Sequence, residues 1–137
     1  MAKKFRGPEL IKEIDKALDK GMARFLVNTQ SKLSASAPVD TGRLASSWMI
    51  GQNTPDRSSP PERKEPGPIV NTPFSGVITA KGNWYISSNL DYSDRACFNP
   101  KWAKGGRRGG AQWFTNIANN LNKDAERSFD YFLRQVK

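Results

Sequence analysis

A stripe of mostly apolar residues at helical spacing dominates the first quarter of the chain. Its members recur at steps of three and four residues: Leu10, Ile11, Ile14, Leu18, Met22, Phe25, Leu26, Thr29 and Leu33. This period predicts a long amphipathic helix over residues 8–36, because side chains three and four positions apart share one face. Pro8 suits the first turn of such a helix, and Pro38 ends it. Within it, Gly21 marks either a close helix contact or a weak point.

A second stripe of the same period lies at the other end of the chain. It predicts a helix over residues 112–136, with one face made of Trp113, Phe114, Ile117, Leu121, Ala125, Phe129, Phe132 and Val136. Between the two helices, residues 69–98 favour strands, most clearly the alternating aromatic and β-branched run at 84–89. We therefore expect one α+β domain over residues 1–137, in which two long helices pack on a small, mostly antiparallel sheet.

Two segments of the chain are unsuited to regular structure. Residues 52–68 contain five prolines, which exclude a helix interior and a central strand, so we expect a projecting arm. Residues 99–111 form a basic, glycine-rich loop. Both segments hold few groups that offset the ~1–2 kcal/mol per residue lost when a backbone is ordered. We therefore expect both to be mobile in the isolated protein and to order on assembly.

The composition argues against an enzyme. The chain has no histidine and a single cysteine, Cys97, which reads as a packed small residue rather than a nucleophile. This excludes Ser-His and Cys-His hydrolases, a cysteine-rich zinc site and an internal disulfide. We expect no catalytic residue, no metal and no cofactor. No stretch approaches the ~20 apolar residues of a membrane span, and the basic start lacks a signal-peptide core, so we expect synthesis in the cytoplasm without membrane contact.

The charge of the chain is strongly basic. It carries 22 basic and 13 acidic residues, a net charge of +9. Residues 1–36 have eight basic and four acidic residues, and residues 83–111 have five and two. An acidic protein surface or a polyanion is therefore a candidate partner. The loop residues that would contact this partner, or DNA, are Lys101, Lys104, Arg107 and Arg108.

An alternative function follows from the same charge. A small, basic protein that binds nucleic acid without specificity would use the lysine-rich face of the first helix together with the Arg107–Arg108 loop. No groove-reading motif accompanies these residues. A contact loop that orders against a protein partner is the interpretation we favour.

The triplet Asp40-Thr41-Gly42 matches the signature of aspartic proteases. In those enzymes each catalytic Asp ends an apolar strand, whereas here the triplet follows a long helix. Arg43 also stands where those proteases have a small residue. We therefore interpret Asp40 or Thr41 as the cap of a short helix over residues 40–48. Gly42 permits close backbone approach, and Arg43 pairs with Asp40 or with a neighbouring subunit.

Three segments resemble the tail-completion or minor tail proteins of tailed bacteriophages. The run APVDTGRLASSW at residues 37–48 is similar to a motif of that family, and Tyr92, shortly after the strand at 84–89, falls in a second similar stretch. Residues 113–118 resemble the family's closing segment. The chain departs from the pattern after Tyr92, where the usual acidic stretch is replaced, and at residues 52–68, which look like an insertion.

The resemblance implies a structural virion protein at the head-to-tail junction or tail end. Such proteins join head to tail around the DNA channel, and we expect this chain to form a closed ring, with a hexamer as first expectation and a dodecamer as second. A ring needs two different complementary faces on each subunit. Other partners would be neck, connector or tail-tube proteins and DNA in the channel. The candidate contact residues are Asp40, Thr41, Gly42, Arg43, Leu44, Tyr92, Phe98 and Trp102.

Overall fold

The computed structural model describes residues 7–38, 42–98 and 112–136. Its elements are helix α1 (Gly7–Ser36), strands β1 (Met49–Gln52) and β2 (Trp84–Ser87), and helices α2 (Ser93–Phe98), α3 (Trp113–Asn119) and α4 (Leu121–Leu133). The 30 residues of α1 span about 45 Å at ~1.5 Å per residue. The predicted α+β fold with long terminal helices and a small antiparallel sheet is confirmed.

Helices α1 and α4 run side by side in opposite directions. The ammonium of Lys32 lies 2.6 Å from the carboxylate of Asp124 near the start of α4. At the other end of the pair, Val136 lies with Lys16 of α1 along one surface pocket. Of the predicted stripe of α1, Leu26, Thr29 and Leu33 are buried, whereas Leu10 and Ile11 near the start of the helix are exposed. The buried residues of the helix are Ala17, Gly21, Leu26, Thr29, Gln30, Leu33 and Ser34.

Gly21 lets α4 approach α1 closely. A Cβ at this position would lie 2.5 Å from Cδ1 and 3.0 Å from Cα of Phe129, which is too near for two carbon atoms. Glycine costs a helix about 1 kcal/mol relative to alanine, and here that cost is accompanied by closer helix packing. The interpretation of Gly21 as a close helix contact, rather than as a weak point of the helix, is confirmed.

Strands β1 and β2 form a two-stranded antiparallel sheet. Met49 pairs with Ser87 at one end and Gln52 pairs with Trp84 at the other. The sheet is smaller than expected, because residues 53–83 contain no helix or strand. The β-prone runs at 69–70 and 76–80 therefore make no ladder. For residues 53–68 this irregular path agrees with the proline content; the projection of that segment stays a prediction.

The predicted helix over residues 40–48 is wrong in its described part, 42–48, which forms turns. The amide of Ser46 donates to the carbonyl of Gly42 at 3.1 Å, but Ser47 donates to the nearer carbonyl of Leu44 at 3.0 Å. The Ser47 hydroxyl also donates to the carbonyl of Leu44, at 2.6 Å. Such local bonds from serine compete with a regular helix, and they turn the chain toward β1.

The predicted helix over residues 112–136 is interrupted at Asn120. This residue has φ −101° and ψ 2°, outside the helical region. Its side-chain amide donates to the carbonyl of Asn116 at 2.8 Å, and asparagine competes for backbone groups in this way. The C-terminal segment is therefore two helices, α3 and α4, rather than one.

The core lies where the C-terminal half of α1 meets the turns after it and helices α2 and α3. Trp48 and Phe114 stack with ring centroids 6.1 Å apart, and Trp113 meets Trp48 edge-on at 6.0 Å. The indole of Trp113 donates to a backbone carbonyl of α2 at 3.0 Å. The buried members are Leu33, Ala37, Leu44, Ala45, Trp48, Leu90, Ala96, Cys97 and Trp113. Cys97 is thus a packed core residue, as expected.

Candidate functional site

The structure places five of the eight contact candidates, and they do not form one surface. Leu44 is 4% exposed and belongs to the core, and Tyr92 packs against that core. Gly42 and Arg43 face the proline-rich segment, residues 52–68. Phe98 is 64% exposed at the end of α2. Outside the described residues lie Asp40, Thr41 and Trp102, together with the charged candidates Lys101, Lys104, Arg107 and Arg108.

Gly42 is the point at which the chain after α1 meets the proline-rich segment. Its φ of +89° lies in the region that favours glycine. A Cβ here would also lie 3.0 Å from the carbonyl oxygen of Gly67 and 3.0 Å from the guanidinium of Arg63. The expectation that Gly42 permits close backbone approach is confirmed.

Arginine side chains bind carbonyls of the proline-rich segment, one from the turns at 42–46 and one from within the segment. The Arg43 Nε donates to the carbonyl of Pro60 at 3.0 Å. From within the segment, Arg63 donates to the carbonyl of Pro68 at 2.8 Å. Proline carbonyls are available because the ring removes the donor but leaves the acceptor. Arg43 therefore contacts its own chain, while its expected partner Asp40 lies outside the described residues.

The first half of the proline-rich segment is attached to the chain around β2. The Ser87 hydroxyl donates to the carbonyl of Asp56 at 3.3 Å, and the Asn89 amide donates to the carbonyl of Arg57 at 3.0 Å. The Asp56 carboxylate accepts bonds from the hydroxyl and backbone amide of Ser58, at 2.5 and 2.8 Å. These two bonds hold the pKa of Asp56 below its ordinary value of 3.8.

Gln30 joins three parts of the chain and was missed by the sequence reasoning. Its side chain is 2% exposed, and its amide donates to the carbonyls of Trp48 at 2.7 Å and Thr72 at 2.9 Å. Nearby, the Ser34 hydroxyl bonds to the Asn71 side chain. The sequence contains one sign of this role: Gln30 is a polar residue directly beside the apolar stripe of α1.

An aromatic edge leads from the core to the surface at α2. Phe98 meets Phe114 edge-on with ring centroids 5.4 Å apart, and Phe114 in turn stacks on Trp48. Since most of the Phe98 ring is exposed, it extends the core outward. Phe98 stays a candidate contact residue, and burying one such ring contributes roughly 1.5–3 kcal/mol.

A metal site and a membrane-spanning helix each require a particular arrangement of residues. Within residues 7–38, 42–98 and 112–136, no three cysteine or acidic side chains come together to hold a metal ion. Cys97 is buried. Across the same part of the chain, every helix is too short or too polar to cross a bilayer.

Comparison with known proteins identifies one family. A family model described as "Bacteriophage HK97-gp10, putative tail-component" matches residues 2–84, which are 83 of the 137 residues. The match includes α1, the turns at 42–46, the proline-rich segment and β1. Comparison with curated proteins and with solved structures gave no match.

Proposed function

Because the chain belongs to the HK97-gp10-like family of bacteriophage tail components, we propose that it is a structural protein of the virion at the head-to-tail junction or tail end. In this proposal, copies of the chain form a closed ring around the DNA channel. The ring joins head to tail, as a tail-completion or tail-terminator protein does. The family match over residues 2–84 carries the proposal. The hydrogen bonds between the turns at 42–46 and the proline-rich segment are consistent with a structural role.

A closed ring requires two different faces that fit each other. We assign one face to the turns at 42–46 together with the proline-rich segment, which brings backbone carbonyls and exposed charges to the surface. We assign the aromatic edge at Phe98 to the other face, and Trp102 stays a candidate contact residue. We keep a hexamer as first expectation and a dodecamer as second, with neck, connector or tail-tube proteins as further partners.

The distribution of charge favours this role over non-specific nucleic-acid binding. The described residues hold 14 basic and 12 acidic side chains, and α1 holds five and four. The lysine-rich face of α1 is therefore interspersed with acids, and Arg24 lies 4.2 Å over the ring of Tyr131. Most of the excess of basic over acidic residues lies in residues 1–6 and 99–111. A protein that tracks a nucleic-acid backbone presents a continuous basic groove.

Disrupting the phage reading frame that encodes this chain tests the proposal. We expect cells infected with the mutant to accumulate DNA-filled heads and separate tails, counted by electron microscopy, with joining restored when the chain is supplied from a plasmid. Normal infectious particles from the mutant would contradict the role.

The basic loop gives a finer test of the contact to DNA or to an acidic partner. We expect Arg107→Ala with Arg108→Ala to fold normally, since changes at solvated surface positions stay within about ±0.5 kcal/mol, and to reduce joining. The matched control is Lys123→Ala with Arg127→Ala, which removes two exposed charges from α4. Joining that is equally efficient in both double variants would contradict the assignment.

Gel-shift assays across a salt series separate the two functions. A ring protein should show weak, sequence-blind binding to DNA. Tight binding that falls steeply with salt, as released counterions require, would instead support the nucleic-acid-binding alternative.

A further inference from the structure

Strand β2 has an unpaired edge. It pairs with β1 on one side, and across residues 7–38, 42–98 and 112–136 its backbone makes no other ladder. An isolated pair of strands is only marginally stable in water, and a third strand or a packed helix is needed. The free edge of β2 is therefore a place where another extended chain can add.

An apolar groove lies beside this edge. It is open, has a volume of about 200 Å³, and runs between α1, β2, α3 and α4. Leu26, Trp84, Ile86, Ile117 and Leu121 line it, whereas β1 contributes no residue. The groove therefore begins at β2 on the side away from β1. A strand added to β2 would cover the groove and place alternate side chains in it, as in other cases of strand addition.

Trp84, which lines the groove, carries a buried indole Nε1 with no hydrogen-bond partner among the described residues.

The chain itself contains a segment suited to this edge. Residues 76–80 (GVITA) are rich in β-branched residues, yet the backbone of residues 74–79 makes no hydrogen bond within the described part of the chain. Val77 is 80% exposed. The Ala80 amide donates to the Asp19 carboxylate at 2.8 Å, so the end of the segment is held at α1 rather than paired with β2.

We propose that residues 76–80 of one copy add as a strand to the free edge of β2 in the next copy. Both halves of the contact are present in the same sequence, and neither the segment nor the lining of the groove carries a charge that would have to be desolvated. The contact joins two different surfaces, so it repeats from copy to copy, and it gives a ring when the rotation between copies closes. It rests on the proposed ring and adds a strand pairing to the interface between neighbouring copies.

Disulfide exchange between two variant chains tests the pairing directly. Tyr85→Cys, on β2, is mixed under mild oxidation with Val77→Cys or Ile78→Cys, and the disulfides are mapped by mass spectrometry. Opposed residues in paired strands have Cβ atoms about 4.5–5.5 Å apart, and neighbouring residues alternate faces. One of the two mixtures should therefore cross-link. Val27→Cys, an exposed valine of α1, is the matched control and should not cross-link.

The oligomeric state, measured by analytical ultracentrifugation of the full chain, gives the second readout. We expect Val77→Asp, and Ala118→Phe, which fills the groove from an exposed helix position, to weaken association about tenfold or more. Val27→Asp should leave it unchanged.

Three results would overturn the strand contact: a wild-type chain that never associates, association that both Val77→Asp and Ala118→Phe leave intact, or a disulfide only within one chain when Val77→Cys and Tyr85→Cys are combined. The last result would show that the segment pairs with its own β2. Association without this contact leaves the proposed ring standing. Conversely, suppose that the disulfide forms as expected while phage that lack the chain still join heads to tails. That combination would contradict the proposed function and leave the strand contact standing.

Discussion

Gln30 illustrates how one side chain can organise several segments. Its buried amide donates to two carbonyls, those of Trp48 and Thr72. In Gln30→Glu a carboxylate would face these carbonyls with no proton to donate. We expect the free energy of unfolding at pH 7 to fall by about 1–3 kcal/mol, measured by urea denaturation.

The loss of unfolding free energy in Gln30→Glu should increase with pH. Burial against carbonyls raises the folded-state pKa of the new Glu above its unfolded value of about 4.3. The penalty therefore grows as pH rises from the unfolded to the folded pKa, and it is smallest at acid pH. Gln135→Glu is the control, because the Gln135 amide donates to a carbonyl at 3.1 Å at an exposed position. Equal losses in the two variants at all pH values would contradict the role of Gln30.

Asp56 offers a residue-level test of the proline-rich segment. The bonds from Ser58 hold its pKa below 3.8, so they stabilise the folded segment above that pH and are lost as pH falls through the folded pKa. We expect an NMR titration of the carboxyl carbon to show the lowered pKa in the wild type. In Ser58→Ala the hydroxyl donor is gone, and the pKa should move back toward 3.8. A titration unaffected by the substitution would show that the turn at Asp56 is not formed in solution.

Gly21 tests the contact between α1 and α4. Alanine is normally favoured in a helix by about 1 kcal/mol, but at this position its methyl would overlap Phe129. Overpacking of this kind costs roughly 1–3 kcal/mol, so we expect Gly21→Ala to lower the melting temperature. Asn28→Ala, at an exposed position of the same helix, should raise it slightly. A Gly21→Ala protein more stable than the wild type would show that the helices lie further apart.

At the level of elements, α1 and β2 follow from sequence because their signals are local. The apolar period of α1 continues for most of its 30 residues, and β2 is the strongest β-branched and aromatic run. The pairing of β2 with β1 is not local, since more than 30 residues separate the two strands. Residues 76–80 also have β propensity, though a weaker one than β2, yet in the single chain Asp19 takes the Ala80 amide. The break at Asn120 depends on one side-chain bond, which period alone does not show.

The attachment of the proline-rich segment is the prediction at this scale. In Arg43→Lys the guanidinium that donates to Pro60 is replaced by a point charge with different geometry. We expect limited proteolysis within residues 57–65 to become faster while far-ultraviolet circular dichroism stays unchanged. Arg57→Lys is the matched control, because the Arg57 side chain makes no hydrogen bond within the described residues. Equal cleavage of the two variants and the wild type would show that Arg43 does not hold the segment.

For the whole molecule, the family could be predicted from sequence more readily than the contact surface could. The run at residues 37–48 and the order of elements indicated the family, and the match over residues 2–84 supports it. The same run supplies Leu44 and Trp48 to the core, so part of the run serves packing. The groove beside β2 is assembled from four elements, and no single stretch of sequence carries a sign of it.

The most direct test of the central claim is cryo-electron microscopy of the virion, with the chain labelled by a small C-terminal tag. We expect a closed ring of copies at the head-to-tail junction or tail end, encircling the channel, with density that fits the antiparallel pair α1 and α4. A virion without the chain, or with the label on the capsid shell or tail fibres, would contradict it.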